Sequence, residues 1–387
     1  MRNYRNIHYL IFIILLLVFL NGCSEKDDIY LCSAEVSPKA DKIAVSYVKS
    51  GKSGIFILDL QSKKRTNLFE IENEYAPSSL SWSPDQTKIC YKRGFVVSDG
   101  ATGELGLSLI CVFSLTDKRV FSLTDKRAFS LKDKRFFSLK DNRESILTYE
   151  GINCAPKWSP AGGFIAFASR RENMTWLSKQ DFWHENLWVV DDKTFRPFKP
   201  LTKESNLQHF FAWCWSDDGR YIFYCRRTEK VGNGELCIIN PITLEEKVLS
   251  SGHRISGGSC WSPDGTRIFF SDRNSPINAY ILFLDSDVIR PIFEIGSDNY
   301  IAQPKWSPDG RKIAFYKLDE NKRWDIWSVD SDGNNPGKII NLSIPVKKRG
   351  FRFILGWLTN NELIFNRDKK ALYSHNISTG LERQIYP

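Results

Sequence analysis

Apolar residues along the chain fall in short runs, each bounded by polar, turn-forming residues, and one such unit is written several times over. Its fullest spelling is Pro304-Lys305-Trp306-Ser307-Pro308-Asp309-Gly310-Arg311-Lys312-Ile313-Ala314-Phe315. The pattern predicts a strand ending at Trp306, a tight turn, and a second strand running back through Ile313-Ala314-Phe315. The turn chemistry is that of a type I turn, with Ser307 at the first corner, Pro308 supplying a fixed φ at the second, and Gly310 at the fourth position. Weaker copies are Trp82-Ser83-Pro84-Asp85, Trp158-Ser159-Pro160, Trp215-Ser216-Asp217-Asp218-Gly219 and Trp261-Ser262-Pro263-Asp264-Gly265. Val36-Ser37-Pro38 and Trp357-Leu358-Thr359-Asn360-Asn361 are degenerate first and last copies.

Each hairpin is followed by a third apolar run ending in a polar turn, such as Gly54-Ile55-Phe56-Ile57-Leu58-Asp59 or Asp325-Ile326-Trp327-Ser328-Val329-Asp330, and then by a fourth, such as Lys338-Ile339-Ile340-Asn341-Leu342. Residues 36 and 82, 215 and 261, and 261 and 306 lie 46, 46 and 45 positions apart. Four short antiparallel strands recurring at that interval predict an all-β fold, a seven-bladed β-propeller of four-stranded antiparallel blades. A six-bladed ring with one degenerate unit used as a closing strand is the alternative. Blades are expected near 31–72, 73–150, 151–204, 205–250, 251–295, 296–343 and 344–387.

The Trp-Ser-Pro-Asp-Gly turn followed by Ile-Ala-Phe resembles the repeat of the TolB-like β-propeller family, across nearly all of the chain after its first residues. The resemblance implies the propeller fold and an envelope protein that binds other proteins. TolB proteins carry a separate α/β domain ahead of the propeller, for which this chain has no room, so the specific Tol-Pal role does not carry over. The family's relatives also include propellers like oligogalacturonate lyase, which use histidine and a metal at the mouth, and propellers joined to prolyl peptidases.

The N-terminus adds a second signal. Arg2 and Arg5 precede the apolar run Tyr9 to Leu20, which has the length of a signal-peptide core and is too short for an ordinary membrane span. Leu20-Asn21-Gly22-Cys23 follows and resembles a bacterial lipobox. That resemblance implies a signal peptide over 1–22, lipidation and cleavage at Cys23, a tether over 23–30, and the propeller over 31–387. Ser24 after the cysteine points to the periplasmic side of the outer membrane in a diderm bacterium.

Two insertions interrupt the repeat. Four consecutive eight-residue units begin at Phe113, Phe121, Phe129 and Phe137, filling 113–144 between the third and fourth strands of blade 2. They predict either a meander of short strands extending the blade or a basic flap. In blade 3 the loop between Ala168 and Leu187 carries Met174, Trp176, Phe182, Trp183 and His184. By strand order these insertions fall on opposite faces of the ring.

Charge changes the picture little. The chain is +9, falling to +7 without Arg2 and Arg5, and residues 113–143 hold +5 of that. The rest of the propeller is near neutral, so nucleic acid is not an expected partner. Beyond the expected signal peptide, which holds His8, four histidines, His184, His209, His253 and His375, stand singly in the sequence, with no metal-binding spacing and no Gly-x-Ser-x-Gly elbow. No catalytic residue, metal or cofactor is expected. Eight cysteines besides Cys23 form no Cys-x-x-Cys and fall mostly in strands, which favours buried thiols.

Residues just before each inner strand converge on the central mouth of a propeller. Tyr75, Asn153, His209, Arg254, Tyr300 and Arg352, with Trp176 and Trp183 of the long loop, are therefore the candidate partner-binding residues. The reading is a non-catalytic, lipid-anchored envelope propeller, a monomer that binds a protein or glycan. The alternative is an enzyme acting on an oligosaccharide or peptide with a metal or histidine at the mouth.

Overall fold

The computed structural model describes residues 29–72, 75–98, 104–116, 128–130, 135–137, 145–146, 152–170, 186–194, 199–202, 213–227, 234–272, 278–293, 300–346 and 354–386. The chain is a seven-bladed propeller, and among the described residues there is no helix. Every blade is four antiparallel strands in sequence order. The inner strands are Ile29–Val36, Ser78–Trp82, Ile152–Trp158, Cys214–Trp215, Ile255–Trp261, Ile301–Trp306 and Leu355–Trp357. Both degenerate copies of the repeat thus build full blades, because strand pairing is made by the backbone and does not need the full Trp-Ser-Pro-Asp-Gly spelling.

Blade 6 shows why the sequence folds this way. Its strands are Ile301–Trp306, Lys312–Leu318, Arg323–Asp330 and Gly337–Pro345. Successive side chains of a strand point to opposite faces of its sheet, and both faces of a blade are covered by neighbours. Ile313 and Phe315 therefore pack towards blade 5 while Ala314 and Tyr316 pack towards blade 7. A continuous apolar run results, where a sheet wetted on one face would alternate. Seven such clusters lie between the seven blades and close the ring. The outer strands are solvated and charged, as Arg65–Glu72 and Glu246–His253 illustrate, which protects them from edge-to-edge pairing.

The repeated turn is a hydrogen-bond device. Gly310 N–H donates to Ser307 O at 2.9 Å, and Gly310 takes a φ of 68°. Ser307 Oγ donates to Asp309 Oδ1 at 2.7 Å and accepts from Lys312 N at 3.0 Å, and Asp309 also accepts from Arg311 N. The same set recurs at Ser83 with Asp85, Ser216 with Asp218, and Ser262 with Asp264.

The tryptophan has a separate task. Trp82, Trp215, Trp306 and Trp357 each donate an indole N–H across to the preceding blade, to the carbonyls of Glu35, Lys157, Cys260 and Lys305. Each acceptor is the residue just before that blade's own anchor. The indoles therefore staple one inner strand to the next. Three residues before the anchor the inner strand bulges, with positive φ at Ser79, Ala155, Gly258 and Gln303.

Blades 1 and 7 are each completed by their own strands, so side-chain packing closes the ring, with one backbone hydrogen bond across the junction, from Leu31 N–H to Lys369 O. Leu31, Tyr47, Phe56 and Leu58 meet Ile364, Leu372, Ile385 and Tyr386. Arg65 covers the Tyr47 and Phe56 rings at 5.0 and 4.3 Å and donates to Tyr386 Oη at 2.8 Å.

In blade 2, strand Glu104–Ser114 ends inside the first eight-residue unit, and the outer strand Ser145–Ile146 pairs with it just beyond the last. Within the insert, Ala128–Ser130 pairs with Arg135–Phe137.

Candidate functional site

One face of the ring carries the Ser-Pro-Asp-Gly turns, and on the other the chain crosses from blade to blade. Tyr75 lies at the crossover end of an inner strand, half-buried, three residues before Ser78–Trp82, and its carbonyl accepts from Ser53 Oγ at 3.3 Å. Asn153 is the second residue of its inner strand, opposite Ser169. Arg254 is exposed one residue before Ile255, and its N–H donates to Asp272 Oδ1 at 3.0 Å. Tyr300 precedes Ile301, is 38% exposed, and accepts from Leu318 N at 3.0 Å. These four positions come from blades 2, 3, 5 and 6 and share the crossover face. His209, Arg352, Trp176, Trp183 and Cys23 lie outside the described residues.

The structure adds a girdle of side chains nearer the turn face, at the positions immediately before the anchors. Lys305 of blade 6 reaches Glu35 of blade 1 at 3.5 Å, passing over Gly356 of blade 7, which has no side chain in the way. A Cβ on Gly356 would stand 3.0 Å from Val36 Cγ2 and 3.3 Å from Ile364 Cγ1, so a larger residue would crowd the packing of blade 7 on blade 1. Lys157 of blade 3 donates to Trp213 O and sits 4.6 Å from the Trp213 ring centroid. Burial lowers the Lys157 pKa, Lys305 across the channel lowers it too, and Glu35 raises it. Burial pushes the neighbouring Cys214 and Cys260 thiols upward, so both are neutral at neutral pH. These residues escaped the sequence reading because the position before the anchor holds Glu, Ser, Lys, Cys, Cys, Lys and Gly in turn. A one-blade motif gives no sign that they meet.

His253 stands alone in sequence but not in space. Its Nδ1 lies 2.8 Å from Asp272 Oδ2, and its Nε2 lies 3.0 Å from Ser250 Oγ. The order Ser–His–Asp is that of an acyl-transfer relay. Asp272 is also a cap, since its other oxygen holds Arg254 N–H where the chain passes into blade 5. In blade 7, Asn366 Oδ1 does the same for Ile354 N–H at 2.9 Å. An amide suffices there, so holding the crossover does not require a carboxylate.

Among the described residues, no group of three or more His, Cys, Asp or Glu is placed to hold a metal ion. Cys32, Cys90, Cys111, Cys214, Cys225, Cys237 and Cys260 are free thiols, and five of the seven are buried. Cys214, Cys225 and Cys237 sit on successive strands of blade 4 without bonding.

No protein-family model matches the chain, and no curated protein does. Solved structures do. The β-propeller domain of the Trilobed protease from Pyrococcus furiosus, described as having an open velcro topology, is 14% identical over 94% of this chain and 97% of that one, with a TM-score of 0.60. An oligogalacturonate lyase solved with manganese is 14% identical over 73% of this chain and 72% of that one, with a TM-score of 0.51. A protein described as TolB from Agrobacterium tumefaciens is 20% identical over 78% of this chain and 93% of that one, with a TM-score of 0.46. At these identities the likeness establishes a propeller fold, which hosts enzymes and non-enzymes alike.

Proposed function

We propose that the chain is a lipid-anchored envelope propeller that binds a protein or glycan partner at the mouth of its channel. The observation that carries this is the frame itself. Seven inter-blade clusters and the indole staples fix the inner strands, and that frame holds Tyr75, Arg254 and Tyr300 at one face from three separate blades. A rigid ring delivering two aromatics and a cation gives a binding surface little to lose in conformational freedom on association. Cys23 would carry the lipid, and several acyl chains would hold the protein at the periplasmic side of the outer membrane.

The test is capture from detergent-solubilised envelope, with the lipidated protein as bait beside a variant carrying Tyr75→Ala, His209→Ala, Arg254→Ala and Tyr300→Ala. A partner captured by the first and lost by the folded second supports the mouth. The same partner on both overturns it. Incorporation of labelled palmitate that is lost on Cys23→Ala tests the anchor.

A second reading, a hydrolytic enzyme acting on a peptide or sugar ester, is favoured by the Ser250–His253–Asp272 hydrogen bonds. A fluorophosphonate that modifies Ser250 in the native protein, and fails to do so in His253→Gln, would establish it. Absence of modification leaves the relay as a crossover cap.

A further inference from the structure

The channel girdle is short of one negative charge. Glu35, Lys157 and Lys305 arrive from blades 1, 3 and 6, each from the position before its anchor, and only Glu35 and Lys305 pair, at 3.5 Å with 35% and 37% of their side chains exposed. Among the described residues no carboxylate lies within ion-pair distance of Lys157. Its ammonium is held instead by one carbonyl and one aromatic face, both from Trp213. An ammonium has three donors, so the carbonyl leaves capacity for an anion. The thiols beside it, Cys214 and Cys260, stay protonated and supply no charge. With Lys157 protonated, Lys157 and Lys305 against Glu35 leave these three residues one positive charge in excess, and because burial disfavours the Lys157 ammonium, a paired anion would stabilise it.

We propose that this girdle binds a single carboxylate, delivered down the channel by a peptide partner and paired with Lys157. The proposal rests on the binding reading above and names the chemistry that the mouth admits. A monoanion fits and a dianion does not, because one excess charge is all there is to neutralise and Glu35 repels a second. Lys157 is pre-positioned by the Trp213 ring, so little side-chain freedom is lost on pairing.

The Trp213–Trp215 strand end is the built-in reporter, since the Trp213 carbonyl and ring hold the Lys157 ammonium. Hydrogen exchange of the mature chain is followed by mass at the peptide carrying Trp213 to Trp215. The probes are N-acetyl-dialanine with a free C-terminal carboxylate, its C-terminal amide, and inorganic phosphate.

The free acid should slow exchange at that peptide at least about threefold, the size of one partly screened ion pair. The amide and phosphate should not. Lys157→Met should abolish the protection, and Glu35→Gln, which raises the local charge to +2, should strengthen it. Protection by the amide equal to that by the acid, no protection by the acid, or protection surviving in Lys157→Met overturns the proposal. If Lys157→Met does not fold, Glu35→Gln decides alone, and unchanged protection there is the refutation. Envelope capture that survives while this test fails leaves the binding platform standing without its carboxylate site.

Discussion

At the scale of single residues, the tryptophans do two jobs, and the structure separates them. Trp306 and Trp261 both fill an inter-blade gap and are 8% exposed. Trp306 donates its indole N–H to Cys260 O at 3.2 Å, whereas the Trp261 N–H is buried without a partner among the described residues. Losing a buried hydrogen bond and stranding its acceptor costs about 1–2 kcal/mol, while removing an unpaired donor relieves a penalty. Trp306→Phe should therefore lower the denaturation midpoint clearly more than Trp261→Phe, although the sequence gives both residues the same spelling. Urea titration of the two variants checks the difference.

The turn aspartates fix the acid behaviour. Burial pushes the carboxyls of Asp85, Asp218, Asp264 and Asp309 up, but hydrogen bonds from the turn serine and from the backbone outweigh it and leave each below the ordinary carboxylate range. A depressed folded-state pKa contributes stability that is complete above the unfolded value, about 3.9, and is lost as pH falls through the folded one. Melting temperature should thus be insensitive to these groups from neutrality to about pH 5 and fall below about pH 4. Asp264→Asn with Asp309→Asn should flatten that acid limb while lowering stability at pH 7. A fall in the double variant as steep as in the parent would refute the assignment.

At the scale of the element, the eight-residue repeats were legible as an insertion, and their position follows from strand order. The blade-2 strand Glu104–Ser114 and its outer partner Ser145–Ile146 bracket the excess. Removing residues 117–140 joins Thr116 to Asp141 and restores one unit. Loop-closure entropy grows slowly with length, so shortening by three units should change stability by only about 1 kcal/mol or less. Circular dichroism melting of the deletion variant checks this, and a collapse of the transition would mean that the insert holds the blade together. The inner-strand bulges were not legible. Ser79, Ala155 and Gln303 take positive φ without a shared residue type, because the bulge follows from packing around the channel.

At the scale of the whole molecule, blades 1 and 7 meet without a shared strand, as most neighbours in the ring do, and their junction joins the first blade to the last. Arg65 spans it, over two aromatic rings and onto Tyr386. Arg65→Ala removes packing as well as a hydrogen bond and should cost about 1–3 kcal/mol. Hydrogen exchange should rise first in blades 1 and 7, and uniform protection loss around the ring would show that the junction is no weaker than the others.

The sequence by itself determined the turns, the anchors and the strand order, and narrowed the blades to seven or six, between which the structure chose seven. Those depend on interactions spanning a few residues, such as the serine, aspartate and glycine of one turn, and they are written again in each repeat. The tertiary structure alone decided that Lys305 would face Glu35, that Lys157 would sit on Trp213, and that His253 would join Ser250 and Asp272. Such meetings depend on how the ring and its crossovers bring segments together, and no local pattern of polar and apolar residues encodes that.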